Sequence, residues 1–150
     1  MQGIVILNDL SGSTIQVGGG LGNFFVGGSM SHSTVQSGGA LNKFFVEGSM
    51  TSSTVLSGSI ASIQINGPLS ANSQFIAGVL PTTAIIDGGP IGRQLITVAD
   101  DPRFITDTTA PALTAALKTD TGSVSTDKLT FDPTIVGSVA DAGGLASFKA

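Results

Sequence analysis

Through the first ninety residues, apolar side chains come in short runs of period two, bounded by Gly, Ser or Asn. Ile4-Val5-Ile6, Phe24-Phe25-Val26, Phe44-Phe45-Val46 and Ile63-Gln64-Ile65 are typical. Alternation over so few residues, rich in β-branched and aromatic side chains, marks strands, and the Gly/Ser breaks mark turns. No long run repeats at the spacing of a helical face. The pattern is that of an all-β chain.

The runs recur. Residues 9–28, DLSGSTIQVGGGLGNFFVGG, and 29–48, SMSHSTVQSGGALNKFFVEG, agree at 11 of 20 positions without a gap. Residues 49–67, SMTSSTVLSGSIASIQING, continue the unit with one residue dropped before Ile60, and 68–88, PLSANSQFIAGVLPTTAIIDG, are a looser copy. Ile4-Val5-Ile6 takes the place of Phe24-Phe25-Val26, so the sequence opens part-way through a unit. Such a unit is shorter than a propeller blade, and it lacks the LxxLxL pattern and Asn ladder of a leucine-rich repeat. It also shows no six-residue sub-period. The expected fold is a right-handed parallel β-helix with about 20 residues per coil, each coil lying about 4.8 Å above the last and bonded to it through the backbone. Leu10, Met30 and Met50 should then stack inside, as should Ile15, Val35 and Val55, and Leu21, Leu41 and Ile60. The glycines at 18–20 and 38–39 are expected to supply positive φ at the corners.

In the third copy the FFV run becomes Ile63-Gln64-Ile65, which fixes its parity: the outer two residues face in and the middle one faces out. Phe24, Val26, Phe44 and Val46 are therefore expected inside. Val5, Phe25 and Phe45 are expected outside, as an apolar stripe. Two readings of the stripe stand: neighbouring rings shield one another, or the stripe docks a neighbouring module or chain.

Composition sharpens the picture. Charged residues are only 11% of the 150, against roughly 25% in an average globular protein. Gly reaches 21 residues, while Trp, Tyr and Cys are absent. Without Cys there is neither a disulfide framework nor a thiolate metal site. The net charge is −4 and no basic cluster occurs, so nucleic acid is not an expected partner. The longest apolar runs, such as 4–7, are too short to span a bilayer. MQGIVILNDL lacks the basic and long apolar segments of a signal peptide, so Met1 is expected to be an internal or artificial start. Three acids (Asp9, Glu47, Asp87) and one base (Lys43) lie in 1–88, with seven acids and five bases in 89–150. That shift separates β-helix repeats at 1–88 from a last-coil exit and linker at 89–106, where Gly89-Pro90 and Asp101-Pro102 are breakers and Arg93 and Arg103 have acids nearby. A third segment follows at 107–150.

In that third segment, DTTAP, DTGSVSTDKLTFDPTIVGSV and DAGGLASFKA resemble the opening of bacterial immunoglobulin-like domains, which recur in tandem in large secreted adhesins and cell-surface proteins. The 20-residue coils similarly resemble β-solenoid stretches of giant bacterial surface proteins. An Ig-like sandwich needs about seven strands, and strands are expected here only near 112–117, 134–139 and 145–149. The resemblance thus implies a truncated Ig-like β-sandwich, the N-terminal part of a domain. It also implies Ca²⁺, held in such domains by acids at the junction. The matching positions are Asp107, Asp120, Asp127 and Asp132, with Asp141 weaker. Carboxylates on loops suit a hard cation that takes six to eight oxygens, but Asp beside Gly, Ser and Pro also simply forms turns.

Catalysis finds little purchase. Polysaccharide cleavage on a β-helix needs clustered carboxylates, or a Lys/Arg base beside calcium-binding acids, on one outer face. Asp9, Glu47 and Asp87 occupy different places in the unit, and Lys43 has no basic neighbour. His32 lies between Ser31 and Ser33 with no acid at an equivalent place, which marks a surface residue rather than a base. The GGG at 18–20 lacks the Lys and helix of a phosphate loop, and one His without Cys makes no zinc set. The expectation is a non-enzymatic, extracellular or bacterial cell-surface segment, a stalk joined to Ig-like modules. Its partners would be neighbouring modules of the same chain and host or matrix glycans or proteins. The alternatives are a fragment of a carbohydrate-active β-helix enzyme with its catalytic coils elsewhere, and an autotransporter-like passenger.

Overall fold

The structure, a computed structural model, describes residues 3–87, 92–119, 121, 130–132 and 134–140. Two compact units divide the chain between Thr109 and Ala110. In the first, strands follow as β1 (Ile4–Ile6), β2 (Leu10–Ser11), β3 (Thr14–Val17), β4 (Leu21–Val26), β5 (Met30–Ser31), β6 (Thr34–Val46), β7 (Met50–Thr51), β8 (Thr54–Ile60), β9 (Ile63–Ile65), β10 (Gln74–Val79), β11 (Thr83–Asp87), β12 (Arg93–Thr97) and β13 (Phe104–Thr106). β14 (Ala112–Leu117) and β15 (Ile135–Ala140) belong to the second.

From β1 to β11, every described strand pair is parallel. The register is the sequence repeat itself. Ile4 lies under Phe24, Phe24 under Phe44, and Phe44 under Ile63. Leu10, Met30, Met50 and Leu69 form a second column, and Ile15, Val35, Val55 and Phe75 a third. The result is a parallel β-solenoid of about four turns. The residue missing before Ile60 is absorbed at a corner, where the register slips between Ser37 and Ala40 so that both glycines 38 and 39 face Gly58.

Burial follows the expected parity. Phe24, Val26, Phe44, Val46, Met30 and Met50 are all completely buried. The rings join across the two inner faces: Phe24 stacks on Phe44 at 5.5 Å, Phe44 meets Phe75 edge-on at 5.3 Å, and Phe75 stacks on Phe104 at 5.0 Å. These contacts add to apolar burial, the main stabilising term.

Polar side chains also point inward. Ser33, Ser53 and Ser73 are buried in one column. Ser13 N donates to Ser33 Oγ (3.1 Å) and Ser33 N to Ser53 Oγ (3.2 Å). Those hydroxyls donate in turn to Ser31 O and Thr51 O, both at 2.8 Å. Ser37 and Ser57 reach the corner carbonyls of Gly19 (3.0 Å) and Gly39 (2.8 Å). A corner interrupts the strand ladder, and each serine supplies the partner that the backbone loses there. Among the described residues no buried side-chain polar atom lacks a partner.

One expectation is corrected. Positive φ does not fall at the glycines of 18–20 and 38–39. Within the coils it falls at Gly12 (59°), His32 (48°) and Ser52 (46°), which share one corner, and beyond them at Gly92 (76°). The glycines at 20 and 39 serve close approach instead: a Cβ on Gly39 would lie 2.9 Å from Gly20 N. An L side chain in the left-handed region costs about 1 kcal/mol. Ser52→Gly relieves that cost but gives the unfolded chain freedom that costs about 0.5–1 kcal/mol, so it should be neutral or raise stability by up to about 0.5 kcal/mol. The Ser52 amide keeps its bond to Ser70 Oγ (3.1 Å) in that variant, and urea denaturation measures the change.

Beyond residue 91 the sheet continues. β12 runs antiparallel on β11, pairing Asp87 with Arg93 and Thr83 with Thr97. A 3₁₀ turn, Val98–Asp100, then leads to β13, which resumes the parallel stack on β10 with Phe104 over Phe75. Arg103 fastens this segment. It binds the Asp101 carboxylate through Nε (2.8 Å) and Nη2, and Nη1 donates to Leu69 O at 2.6 Å, in the coil beneath. The hydrogen bonds from Arg103 hold the Asp101 carboxyl below its ordinary value of 3.8, against the opposing effect of partial burial. A depressed carboxylate stabilises the fold above its unfolded pKa and loses that contribution as pH falls through the lower folded value. The thermal midpoint should thus decline below pH 3.8, and Asp101→Asn should flatten that part of the acid limb. Melting curves of both proteins from neutral to acid pH check this.

In the second unit β14 and β15 pair antiparallel, from Ala112 opposite Ala140 to Leu117 opposite Ile135. The expected strands near 112–117 and 134–139 are present; the one near 145–149 lies outside the described residues. Alternation puts Leu113, Leu117, Ile135 and Val139 on one face of the hairpin, with Thr114 and Ser138 hydrogen-bonded on the other.

Candidate functional site

An outer face of the solenoid is formed by β1, β4, β6, β9 and β11, which pair in succession. Each row presents three outward positions, because alternate residues turn out. The central column runs Val5, Phe25, Phe45, Gln64, Ile85, and β12 adds Leu95 opposite Ile85. Val5 is 64% exposed and Leu95 70%, with Ile85 also exposed, while Phe25 and Phe45 are half-buried. The reason is their geometry: the two rings stack at 5.2 Å with only 5° between their planes. They cover each other's faces and leave their edges outward.

Polar groups flank this column. Lys43, two residues before Phe45, carries its Nζ over that ring at 5.1 Å from the centroid, a favourable cation–π distance. Glu47, two residues after it, accepts a hydrogen bond from Asn66 Nδ2 at 3.0 Å. Gln64 Nε2 donates to Asn66 Oδ1, also at 3.0 Å. One row thus holds a cation and an anion on opposite sides of a ring. Such a surface suits contact with another molecule through apolar edges, hydrogen bonds and charge pairing.

The repeat already places Val5, Phe25 and Phe45 on this face, and Ile85 lies over Gln64, with Ala84-Ile85-Ile86 in the place of Ile63-Gln64-Ile65. Leu95 was not legible, because only the reversal of β12 brings it there. The other singled-out residues stand apart. Asp9 Oδ1 accepts the Ser29 amide (2.7 Å), and His32 is exposed at its corner.

Of the residues matched to calcium, Asp107 Oδ1 accepts the Thr109 amide at 2.8 Å, within the first unit. Asp132 Oδ1, in the second, accepts the Thr134 amide at 3.1 Å and its hydroxyl. Those two bonds hold the Asp132 carboxyl below its usual range. Both aspartates therefore close local turns. Asp120, Asp127 and Asp141 lie outside the described residues. Among the described residues no three His, Asp or Glu side chains gather as a metal site, and no helix is long and apolar enough to cross a membrane.

No protein-family model, no curated protein and no solved structure matches the chain.

Proposed function

We propose that this chain is a non-enzymatic structural and adhesive segment of a large bacterial surface or secreted protein, a solenoid stalk leading into Ig-like modules. The observation that carries the reading is the unbroken parallel register from Ile4 to Ile86, in which each coil rests on the next through backbone bonds and serine ladders. Such a stack sets a distance along its axis and holds its outer side chains at fixed spacing, which is what a spacer or display element requires. The apolar face of the β14–β15 hairpin is the kind that a second sheet of a sandwich covers, and this supports the Ig-like reading of the segment from Asp107. Calcium, in this reading, is bound by acids of the segment that resembles the Ig-like opening, Asp107, Asp120, Asp127 and Asp132.

The test uses the full chain on beads, offered surfaces coated with matrix glycans or proteins, and the same chain in solution with pectin- and alginate-type polysaccharides. Retention on a coated surface without release of new chain ends is the expected result. Cleavage in proportion to added protein would overturn it in favour of a carbohydrate-active enzyme. Calorimetric titration with millimolar Ca²⁺ tests the metal, and absence of binding heat removes calcium from the reading.

A further inference from the structure

We propose that the Phe25/Phe45 face pairs with the same face of a second copy of this chain, the two solenoids lying side by side and parallel. The inference goes beyond the stalk reading and does not rest on it. It comes from the order of side chains within each row. A two-fold axis running along the stacking direction, midway between two such faces, leaves each row level with its own copy but reverses the strand. Residues symmetric about the central column then exchange places. Lys43 meets the second copy's Glu47, Glu47 meets its Lys43, and Phe45 meets Phe45. The self-complementarity extends below that row. Asn23 falls opposite Gly27, where there is room for it, and the exposed Leu7 falls opposite Gly3. A surface that complements itself under one rotation is what an isologous dimer requires.

The other in-plane two-fold, along the strands, does not do this. Centred on the same row, it sets Lys43 against Lys43 and Glu47 against Glu47, and like charges in register repel. A sugar is also a poorer occupant. Stacking of a sugar needs an open ring face, whereas Phe25 and Phe45 turn their faces to each other and Phe45 also lies under the Lys43 ammonium. Their outward edges suit a second apolar sheet face, packed about 10 Å away. Three outward positions over six rows outline roughly 500 Å² per copy, below the roughly 800 Å² of a standard interface. The interface is accordingly a small one, of the size of weak, transient contacts.

Sedimentation equilibrium of the full chain, over concentrations from roughly 1 μM to 1 mM, should show a monomer–dimer equilibrium that weakens with added salt. Both charged positions are exposed, so exchanging them leaves the core untouched. Lys43→Glu alone and Glu47→Lys alone should each weaken self-association by at least about tenfold. The double variant Lys43→Glu/Glu47→Lys should restore it. An equimolar mixture of the two single variants should associate more tightly than either alone, since each supplies the charges that the other lacks. Circular dichroism confirms that every variant is folded. A wild-type chain that stays monomeric over the whole range overturns the proposal. So does open-ended association indifferent to these substitutions, which would mark pairing through strand edges, and so does a mixture no tighter than its components.

Discussion

Phe44→Ala is expected to remove about 3–5 kcal/mol of stability, which is comparable to the whole stability of many small domains. Phe44 is completely buried and sits at the middle of the aromatic chain, with Phe24 stacked below it and Phe75 meeting it edge-on from the opposite inner face. Truncation leaves a ring-sized void that two stiff sheets cannot close, because every neighbouring residue is fixed by backbone bonds to the coils above and below. Phe45→Ala, one residue along, should cost no more than about 1 kcal/mol, because its ring is half-buried and loses one stacked partner and one cation contact. Urea denaturation of the two variants measures the difference. Equal losses would refute the inward and outward assignment on which the candidate face depends.

The second large effect is expected at Gly67→Ala, a loss of about 2–3 kcal/mol from a single added methyl group. A Cβ there would lie 2.7 Å from Gly48 C and from Ser49 N, and 2.8 Å from Gly48 O. All three are backbone atoms of the coil below, so no rotamer change relieves the overlap. Gly28, Gly48 and Gly67 hold this place in successive coils, each against the coil beneath. Asn8 occupies it in the first row, where no described coil lies below. Gly18→Ala is the control: nothing lies within 4 Å of a Cβ there and its φ is not positive. That substitution should be neutral or should stabilise by up to about 1 kcal/mol through the unfolded state. Chemical denaturation of both variants decides the matter, and a well-tolerated Gly67→Ala would mean that the corner is looser than its geometry implies.

These two sites show how far the sequence could be read. The inward side of Phe44 is legible in the sequence, because the third copy of its run replaces the middle residue with Gln64 and so reveals the parity. Gly67 was visible as a repeated glycine but not as a contact point, since repetition does not say which atoms approach. Gly12, His32 and Ser52 illustrate the same gap. Three unlike residues share one left-handed corner, so no common residue type announced it.

For the candidate face the division is similar. Val5, Phe25 and Phe45 followed from the 20-residue spacing and period-two alternation, which are properties of the chain alone. The inward serine column was present in the same spacing at 13, 33, 53 and 73, but its role required knowing where the strand ladder breaks at the corners. Leu95 and Phe104 belong to no repeat. They reached the sheet only when β12 reversed on β11 and β13 rejoined the stack through the Arg103–Asp101–Leu69 contacts. What the sequence by itself determined was the coil, its register and the side of each strand that faces in, because a repeat of fixed length places like residues over like and alternation does the rest. What only the tertiary structure decided was the left-handed corner and the close glycine contacts. Those depend on distances between coils, which no local pattern encodes.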